Sequence, residues 1–137
     1  MPLEGRRIRY FIACDQARQE ANNKGFLIGT YSKALIVEGT FPAVLPSLSL
    51  VACVDLRKRT ESFQVEVSIP GLPPIEREHL AKATGPLDTA TVILDLVPCV
   101  LPAPGTIKLN VKFADGNTET GDLEVVSRDE YKRRTWD

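Results

Sequence analysis

The sequence offers few side chains for acid–base or nucleophilic catalysis. His79 is the only histidine in 137 residues. A Ser–His–Asp triad or a Cys–His pair needs a histidine held in fixed geometry, whereas His79 follows two prolines and lies among the charged residues Glu76, Glu78 and Lys82. Such surroundings are typical of a solvated surface, so we predict no catalytic residue and no enzymatic activity.

Motifs for metals and cofactors are also missing from the sequence. Zinc sites use closely spaced cysteine and histidine ligands, but Cys14, Cys53 and Cys99 are widely separated and form no C-x-x-C pair. Calcium sites need several acidic residues in one loop, and the predicted loops supply them singly. No glycine-rich phosphate loop occurs. We therefore predict no metal and no cofactor.

The most distinctive charged group follows the first predicted strand, in the pattern Asp15-x-x-Arg18-x-Glu20. Aspartate commonly caps helix N-termini, so one interpretation is a helix cap followed by ordinary solvated charges. The other interpretation is a recognition loop, because loops on a rigid scaffold carry binding residues.

The C-terminal segment contains the only tryptophan, Trp136, near Tyr131 and Arg133. Trp, Tyr and Arg are the residue types that most often anchor protein interfaces. A lone tryptophan in a polar tail is either a loose end or such an anchor. The candidate binding residues of the chain are Asp15, Arg18, Glu20, Arg133 and Trp136.

The formal net charge of −1, from 17 basic and 18 acidic residues, conceals three local groups of positive charge. If eight strands reverse direction at each connection, all three groups lie at one pole, opposite an acidic pole that includes Asp15, Asp88 and Asp115. A basic pole would suit nucleic acid, an anionic surface or an acidic protein; the alternative is scattered surface charge. The groups are Arg6, Arg7 and Arg9; Arg57, Lys58 and Arg59; and Lys132, Arg133 and Arg134.

Period-2 alternation of apolar and polar residues predicts the strands that must position these groups. The clearest run is residues 107–113, and the Asp-Gly pair in residues 114–117 predicts a hairpin after it. The 10 prolines and 9 glycines mark the connections. Seven or eight short strands of this kind predict an all-β, antiparallel β-sandwich, Ig-like or similar. The predicted strands are residues 7–14, 25–31, 35–37, 48–56, 63–69, 92–97, 107–113 and 118–126.

Two stretches have helical features. Residues 15–23 begin with a possible cap and continue with good helix formers, and residues 75–83 follow two prolines with several apolar residues on one face. We predict one or two short helical turns, with an irregular loop as the alternative for each.

The same alternation assigns the cysteines to faces of the sheets. Cys14 is in phase with Ile8 and Tyr10 and is expected on the core face, whereas Cys53 falls on the polar face of its strand. A bridge between Cys53 and Cys99 would need both side chains to point inward, so we expect three free thiols. An odd number of reduced cysteines is typical of a cytosolic protein.

Length and composition indicate one soluble domain. A chain of 137 residues has the usual size of a single domain. No apolar run approaches the roughly 20 residues of a membrane span, and no signal segment precedes Asp15. We expect one sandwich domain over residues 1–137, with a short basic tail from about residue 127, in the cytoplasm and without membrane contact.

Several short motifs follow one another in a recognisable order: Cys14-Asp15, Arg18-Gln19-Glu20, residues 24–31, residues 41–46, residues 104–107 and Asp115-Gly116. In this order they resemble a family of small uncharacterised bacterial proteins, a domain of unknown function. The similarity covers roughly residues 7–126 and does not include residues 71–87. The resemblance implies a β-sandwich with no established activity, so it transfers no catalytic residue.

These observations favour a non-enzymatic protein-binding or assembly module, whose expected partner is another protein or a second copy of the chain. The alternative is an enzyme or small-ligand protein with an acidic loop site, in which Asp15, Glu20 and Asp115 line one pocket. Nucleic-acid binding through the basic pole is expected least, because the isoelectric point is near 5.9 and no aromatic residues are interleaved with the arginines.

Overall fold

Alternating apolar residues form strands almost throughout the chain. The computed structural model describes residues 7–19, 25–31, 34–85 and 88–134, so Arg6, Glu20 and Trp136 lie outside the described residues. Within them the elements are β1 (Ile8–Gln19), β2 (Gly25–Tyr31), β3 (Ala34–Val37), β4 (Ala43–Leu45), β5 (Leu48–Asp55), β6 (Thr60–Ser68), β7 (Ile75–Lys82), β8 (Thr89–Leu96), β9 (Cys99–Leu101), β10 (Gly105–Phe113), β11 (Thr118–Ser127) and α1 (Arg128–Lys132).

The strands form two principal sheets and a short ribbon. Sheet A has the order β2-β1-β5-β8, sheet B has the order β3-β11-β10-β6-β7, and β4 pairs with β9 in the ribbon. Neighbouring strands are antiparallel except β3 and β11, which are parallel. The predicted all-β sandwich is confirmed.

The inner faces of sheets A and B share one hydrophobic core with the ribbon. Alternate residues of β5 and β10 point into it, as the period-2 pattern predicts. Gly121 of β11 allows the sheets to approach, because a Cβ atom there would lie 2.4 Å from Cγ of Phe11 on β1. The core residues of the two central strands include Leu48, Leu50, Ala52, Val54, Ile107, Leu109, Val111 and Phe113.

Both stretches with helical features contain strands instead. Residues 15–19 continue β1 and pair with β2, and Ile75–Lys82 is β7, antiparallel to β6. Pairing with a neighbouring strand satisfies the backbone and overrides weak local helix propensity. The short helix of the described residues is α1, which begins where the Ser127 side chain accepts a hydrogen bond from the Glu130 N–H.

A β-bulge in β1 reverses the predicted orientation of Cys14. Ile8 lies opposite Val54 on β5, but Tyr10 lies opposite Cys53, so one extra residue enters β1 between them. Tyr10 and Cys14 therefore lie on the outer face of sheet A, while Ile8 remains in the core. The prediction that Cys14 lies on the core face is wrong, whereas the three cysteines are free and buried as expected.

A buried ion pair joins the two sheets at one end of the sandwich. Arg7 and Glu61 are 1% and 6% exposed, and Arg7 Nη2 donates to both Glu61 carboxylate oxygens at 2.6 Å. Arg7 also donates to the Asp55 carbonyl at 2.9 Å, and its guanidinium carbon lies 3.8 Å from the centre of the Phe113 ring. The start of β1 is thereby tied to β5, β6 and β10, and we call this end of the molecule the Arg7 end.

The surroundings of Glu61 hold its carboxyl in the charged form. Burial is the largest influence on its pKa and raises it, but the hydrogen bonds from Arg7 and from the Arg57 N–H, together with the Arg7 charge, outweigh burial. The pKa of Glu61 is therefore below its ordinary value of 4.5. The negative charge of the Glu61 carboxylate therefore balances the positive charge of the Arg7 guanidinium beside it.

We predict that Glu61→Gln destabilises the protein by about 3 kcal/mol, because it leaves a buried guanidinium without its counter-ion. The matched control is Glu66→Gln on the same strand, which removes a partly exposed contact with Lys112 at 3.7 Å and should cost less than about 1 kcal/mol. Urea unfolding of both variants at neutral pH gives the comparison. Equal losses in the two variants would contradict the structural role of the pair.

The same pair predicts a loss of stability in acid. Because the folded pKa of Glu61 lies below the unfolded one, its stabilising contribution is complete above the ordinary value and disappears as pH falls through the folded value. The difference in unfolding free energy between wild type and Glu61→Gln should therefore shrink as pH falls below 4.5. A difference that stays constant across this range would exclude the charged form of Glu61 as its source.

Candidate functional site

Asp15 lies on β1 and is held by its own chain. Its Oδ1 accepts a hydrogen bond from the Tyr31 hydroxyl at 2.7 Å, and its backbone oxygen accepts one from Ser47 Oγ at 2.8 Å. Gly29 of β2 has a φ of +69°, and a Cβ atom there would lie 2.3 Å from Asp15 Oδ2. Glycine is therefore required at position 29, both for its backbone conformation and to make room for the carboxylate.

The other residues of the Asp15 group do not join it in the described part of the chain. Asp15 has the parity of the core residue Ala13, whereas Arg18 has the opposite parity and belongs to the outer face of sheet A. The Arg18 side chain is exposed, and Glu20 lies outside the described residues. The pair that the structure does form here is Asp15 with Tyr31.

The C-terminal segment is attached to the sandwich as far as the structure describes it. Arg128 donates to both carboxylate oxygens of Glu38 at 2.6 and 2.7 Å, and Arg134 contacts both carboxylate oxygens of Glu124 on β11. Arg133 is exposed, and its Nη1 lies 3.3 Å from Glu130 Oε2. The segment thus contacts its own sheet B through residue 134, and the prediction for Trp136 lies outside the described residues.

The three basic groups do not meet at one pole, so that expectation is wrong. Arg7 lies beside Asp55 at the end of β5, and residues 57–59 follow the same end. Residues 132–134 follow the end of the ten-residue β11, about 30 Å along that strand from its start near the Arg7 partner Glu119. The expectation failed because the chain forms more strands than the eight assumed for counting direction.

The expected acidic pole also divides between the two ends. Asp115 Oδ2 lies 3.8 Å from Arg7 Nη1, and the Asp88 carbonyl accepts from the Leu56 N–H at 2.9 Å, so both acids lie at the Arg7 end. Asp15 is farther along β1, about 20 Å away from Arg7. Asp15 and Asp115 therefore line no common pocket.

The outer faces of the two sheets differ in their exposed apolar side chains. The outer face of sheet A carries Tyr10 and Ile28, which are 43% and 45% exposed, around the half-buried Ile93. The exposed polar residues of this face are Gln16, Arg18, Thr30, Thr89 and Asp95. The outer face of sheet B is polar, apart from the exposed Leu80 and from Ile36 and Val126 where β3 pairs with β11. Its polar residues are Gln64, Glu66, Glu76, Glu78, Lys108, Asn110, Lys112, Thr120, Asp122 and Glu124. Antiparallel sheets normally present a polar face to water, and an apolar one marks a contact surface.

Strand β8 forms one edge of sheet A and, in the described residues, pairs only with β5. Its eight residues, Thr89–Leu96, contain no glycine or proline and one charge, Asp95, which accepts a hydrogen bond from Ser49 at 2.5 Å. Edge strands are ordinarily protected by charges, prolines or irregular backbone. Apart from Asp95, the edge of β8 lacks these features, and it can accept another strand.

The other sheet edges are protected. Strand β7 carries Glu76, Arg77, Glu78 and Lys82, β2 is interrupted by the positive φ of Gly29, and β3 has four residues. None of our candidate binding residues lies on β8. The signal was present in the sequence, because residues 92–94 are apolar at both parities and Lys is missing from the strand.

No group of three or more His, Cys, Asp or Glu side chains in the described ranges is arranged to hold a metal ion. In the same ranges, no helix has the length and apolar character needed to cross a membrane.

The contact between Asp15 and Tyr31 predicts a measurable titration. Burial and the Asp15 carboxylate raise the pKa of Tyr31 to about 12. In Asp15→Asn the pKa should move down towards the ordinary value of 10.0, because the charge that opposes the phenolate is removed while burial remains. Ultraviolet absorbance of the phenolate measures it, with circular dichroism recorded at each pH to follow folding.

The matched control for this titration is Asp115→Asn, in the turn between β10 and β11 at the Arg7 end, which should leave the Tyr31 pKa unchanged. A Tyr31 pKa that is the same in wild type and Asp15→Asn would mean that the carboxylate does not contact the phenol.

The match with a known protein family covers both sheets of the fold. Comparison with curated proteins gives no match. A family model described as "Family of unknown function (DUF6941)" matches residues 9–126, which begin inside β1, end inside β11 and include both sheets and the ribbon. Because this match covers well over half of the sequence, the chain belongs to the family of unknown function DUF6941.

Proposed function

We propose that the chain is a non-enzymatic assembly module, and that its binding element is the open edge of β8 with the apolar outer face of sheet A beside it. The partner that we propose is a second copy of the chain. The observation that carries the proposal is the unprotected eight-residue edge strand, since strand addition to such an edge supplies main-chain hydrogen bonds without any new fold element.

The sequence of β8 suits pairing with itself. Two copies related by a two-fold axis pair antiparallel, and residues directly opposite each other share a face of the sheet. One residue of β8 must therefore lie on the axis, opposite the same residue of the second copy. The two residues nearest the middle of the strand are Val92 and Ile93. In these registers Asp95 lies opposite Thr89 or Thr91 and never opposite the Asp95 of the partner. Self-pairing consequently brings no like charges together.

Such a pairing would also extend the apolar surface. Two copies of sheet A would form one eight-stranded sheet, within the usual size of open sheets. The Ile93 side chains of both copies would meet on its outer face and remove apolar surface from water. Backbone hydrogen bonds and apolar burial would thus act at the same edge.

We propose that the protein acts in the cytoplasm of a bacterial cell. The three free, buried thiols support a reducing compartment, and the motif order resembles small bacterial proteins. The scaffold is proposed to be Ig-like or similar, because two largely antiparallel sheets pack face to face over one core.

Two other functions have less support from the geometry. An enzyme or small-ligand site built on Asp15 and Asp115 would need these acids together, but Asp115 lies near Arg7 in the turn between β10 and β11 and Asp15 lies farther along β1. Nucleic-acid binding through a basic pole would need all three basic groups at one end. Arg7 is buried against Glu61, and Arg9 donates to Asp55 at 2.5 Å, so part of that charge is already paired.

The decisive variant is Ile93→Lys, which places two lysines opposite or diagonal to each other at the two-fold axis. Wild type should be dimeric at about 100 μM, and Ile93→Lys should be monomeric at that concentration because the like charges repel. The matched control is Leu80→Lys, which changes an exposed apolar residue on β7 at the edge of sheet B and should remain dimeric. Sedimentation velocity measures all three.

A second measurement does not depend on any variant. Hydrogen exchange of the β8 backbone amides in wild type should speed up on dilution, as the partner strand dissociates. The proposal is overturned by a wild-type monomer, by equal dissociation of both lysine variants, or by β8 exchange that does not respond to dilution.

A further inference from the structure

A cleft opens at the Arg7 end, between the turn that joins β5 to β6 and the connection that joins β7 to β8. It has a volume of about 540 Å³ and is lined by Leu56, Arg57, Lys58, Arg59, Ala83, Thr84 and Gly85. Ligand pockets typically measure about 300–1,000 Å³. The cleft is therefore large enough for a small molecule.

The two walls of the cleft are fixed to each other through the backbone. The Ala83 N–H donates to the Arg59 carbonyl at 2.8 Å, and the Leu56 N–H donates to the Asp88 carbonyl at 2.9 Å. These bonds cross from one wall to the other on either side of the opening. The cleft is thus part of the folded framework rather than a gap between independent loops.

The charge of the lining is entirely positive. Three consecutive basic residues contribute to it, and none of the described lining residues is acidic. Lys58 and Arg59 are exposed and form no ion pair with any residue of the described ranges. Most arginines elsewhere in those ranges behave differently, as the pairs of Arg9 with Asp55 and Arg128 with Glu38 show.

The Asp88 carboxylate beside the cleft is already occupied. Asp88 Oδ2 accepts from the Thr84 N–H at 2.8 Å and the Thr84 hydroxyl at 3.0 Å, and Oδ1 accepts from the Thr89 N–H at 2.9 Å. These hydrogen bonds hold the pKa of Asp88 below its usual range. Asp88 therefore shapes the wall and leaves Lys58 and Arg59 available to a ligand.

The lining also limits the kind of ligand. Among the described residues its apolar part is Leu56 and Ala83 and none is aromatic, so these residues offer no platform for stacking a nucleobase. Lysine and arginine side chains that converge on a compact space form strong, charge-assisted hydrogen bonds with phosphate oxygens. We propose that this cleft binds a small oligophosphate, that is, a compact ligand with two or more linked phosphate groups and no aromatic base.

This inference is independent of the proposed self-association, because the cleft and the outer face of sheet A use different side chains. The probe is inorganic triphosphate, and isothermal calorimetry at low salt measures its binding to the full chain. Wild type should bind it with one site. The double variant Lys58→Gln/Arg59→Gln should bind at least about tenfold more weakly, since two charge-assisted contacts are lost.

The matched control is Lys108→Gln/Lys132→Gln, which removes the same charge from exposed positions outside the cleft. Its affinity should stay within about twofold of wild type, because long-range attraction between exposed charges is weak and screened. Amide chemical shifts should change on residues 56–59 and 83–85 when triphosphate is added. Unfolding midpoints of both variants, which change surface side chains alone, should match wild type.

Three results would overturn the inference. The first is no binding of triphosphate to wild type. The second is an equal loss of affinity in the two double variants, which would show non-specific charge attraction. The third is tighter binding of a short DNA duplex than of triphosphate, with the duplex also shifting amides outside the cleft, which would show a nucleic-acid surface.

Discussion

The guanidinium of Arg7 is the constraint around which one end of the molecule is organised. A charge taken out of water costs several kcal/mol unless an opposite charge and hydrogen bonds replace the water. Arg7 obtains these from Glu61 on β6 and the Asp55 carbonyl on β5, while the Phe113 ring covers its face. Its Nη1 is buried without a hydrogen bond and points towards Asp115 at 3.8 Å. These contacts fasten sheet A to sheet B at this end.

The end of β5 connects the Arg7 contacts to the rest of sheet A. Asp55 accepts from Arg7 through its carbonyl, pairs with Arg9 through its carboxylate and lies opposite Thr89 at the start of β8. The next residue, Leu56, forms part of the basic cleft. The proposed binding edge and the cleft are thus both positioned by a strand whose side chains are buried on both faces.

The sequence predicted the strands well where alternation is regular. Residues 107–113 and the hairpin after them follow the expected register, with Lys112 opposite Thr118. Alternation failed at β1, because a single extra residue at the bulge changes the parity of everything beyond it, and Cys14 changed face with it. It also failed at β7, whose Glu-Arg-Glu composition favours a helix in isolation but becomes a protected edge once β6 is beside it.

The candidate binding residues were harder to predict for a related reason. Asp15 and Arg18 were grouped as neighbouring charges after the first predicted strand, but both lie in β1, which places them on opposite faces. The feature that distinguishes β8 is the absence of protection at an edge, and strand order across a sheet is set by long-range pairing that local sequence does not encode.

The two proposed surfaces, the edge of β8 and the basic cleft, depend on different physical interactions. Strand β8 presents backbone groups and apolar side chains with one paired charge, so association there depends on apolar burial and is strengthened by excluded salts such as sulfate. The cleft presents Lys58 and Arg59, so binding there depends on charge and is weakened as salt shortens the range of electrostatic attraction. Raising sulfate concentration should therefore drive the two processes in opposite directions. A chain whose net charge is close to zero can carry both, because the cleft gathers Lys58 and Arg59 locally while acidic residues elsewhere balance the total charge.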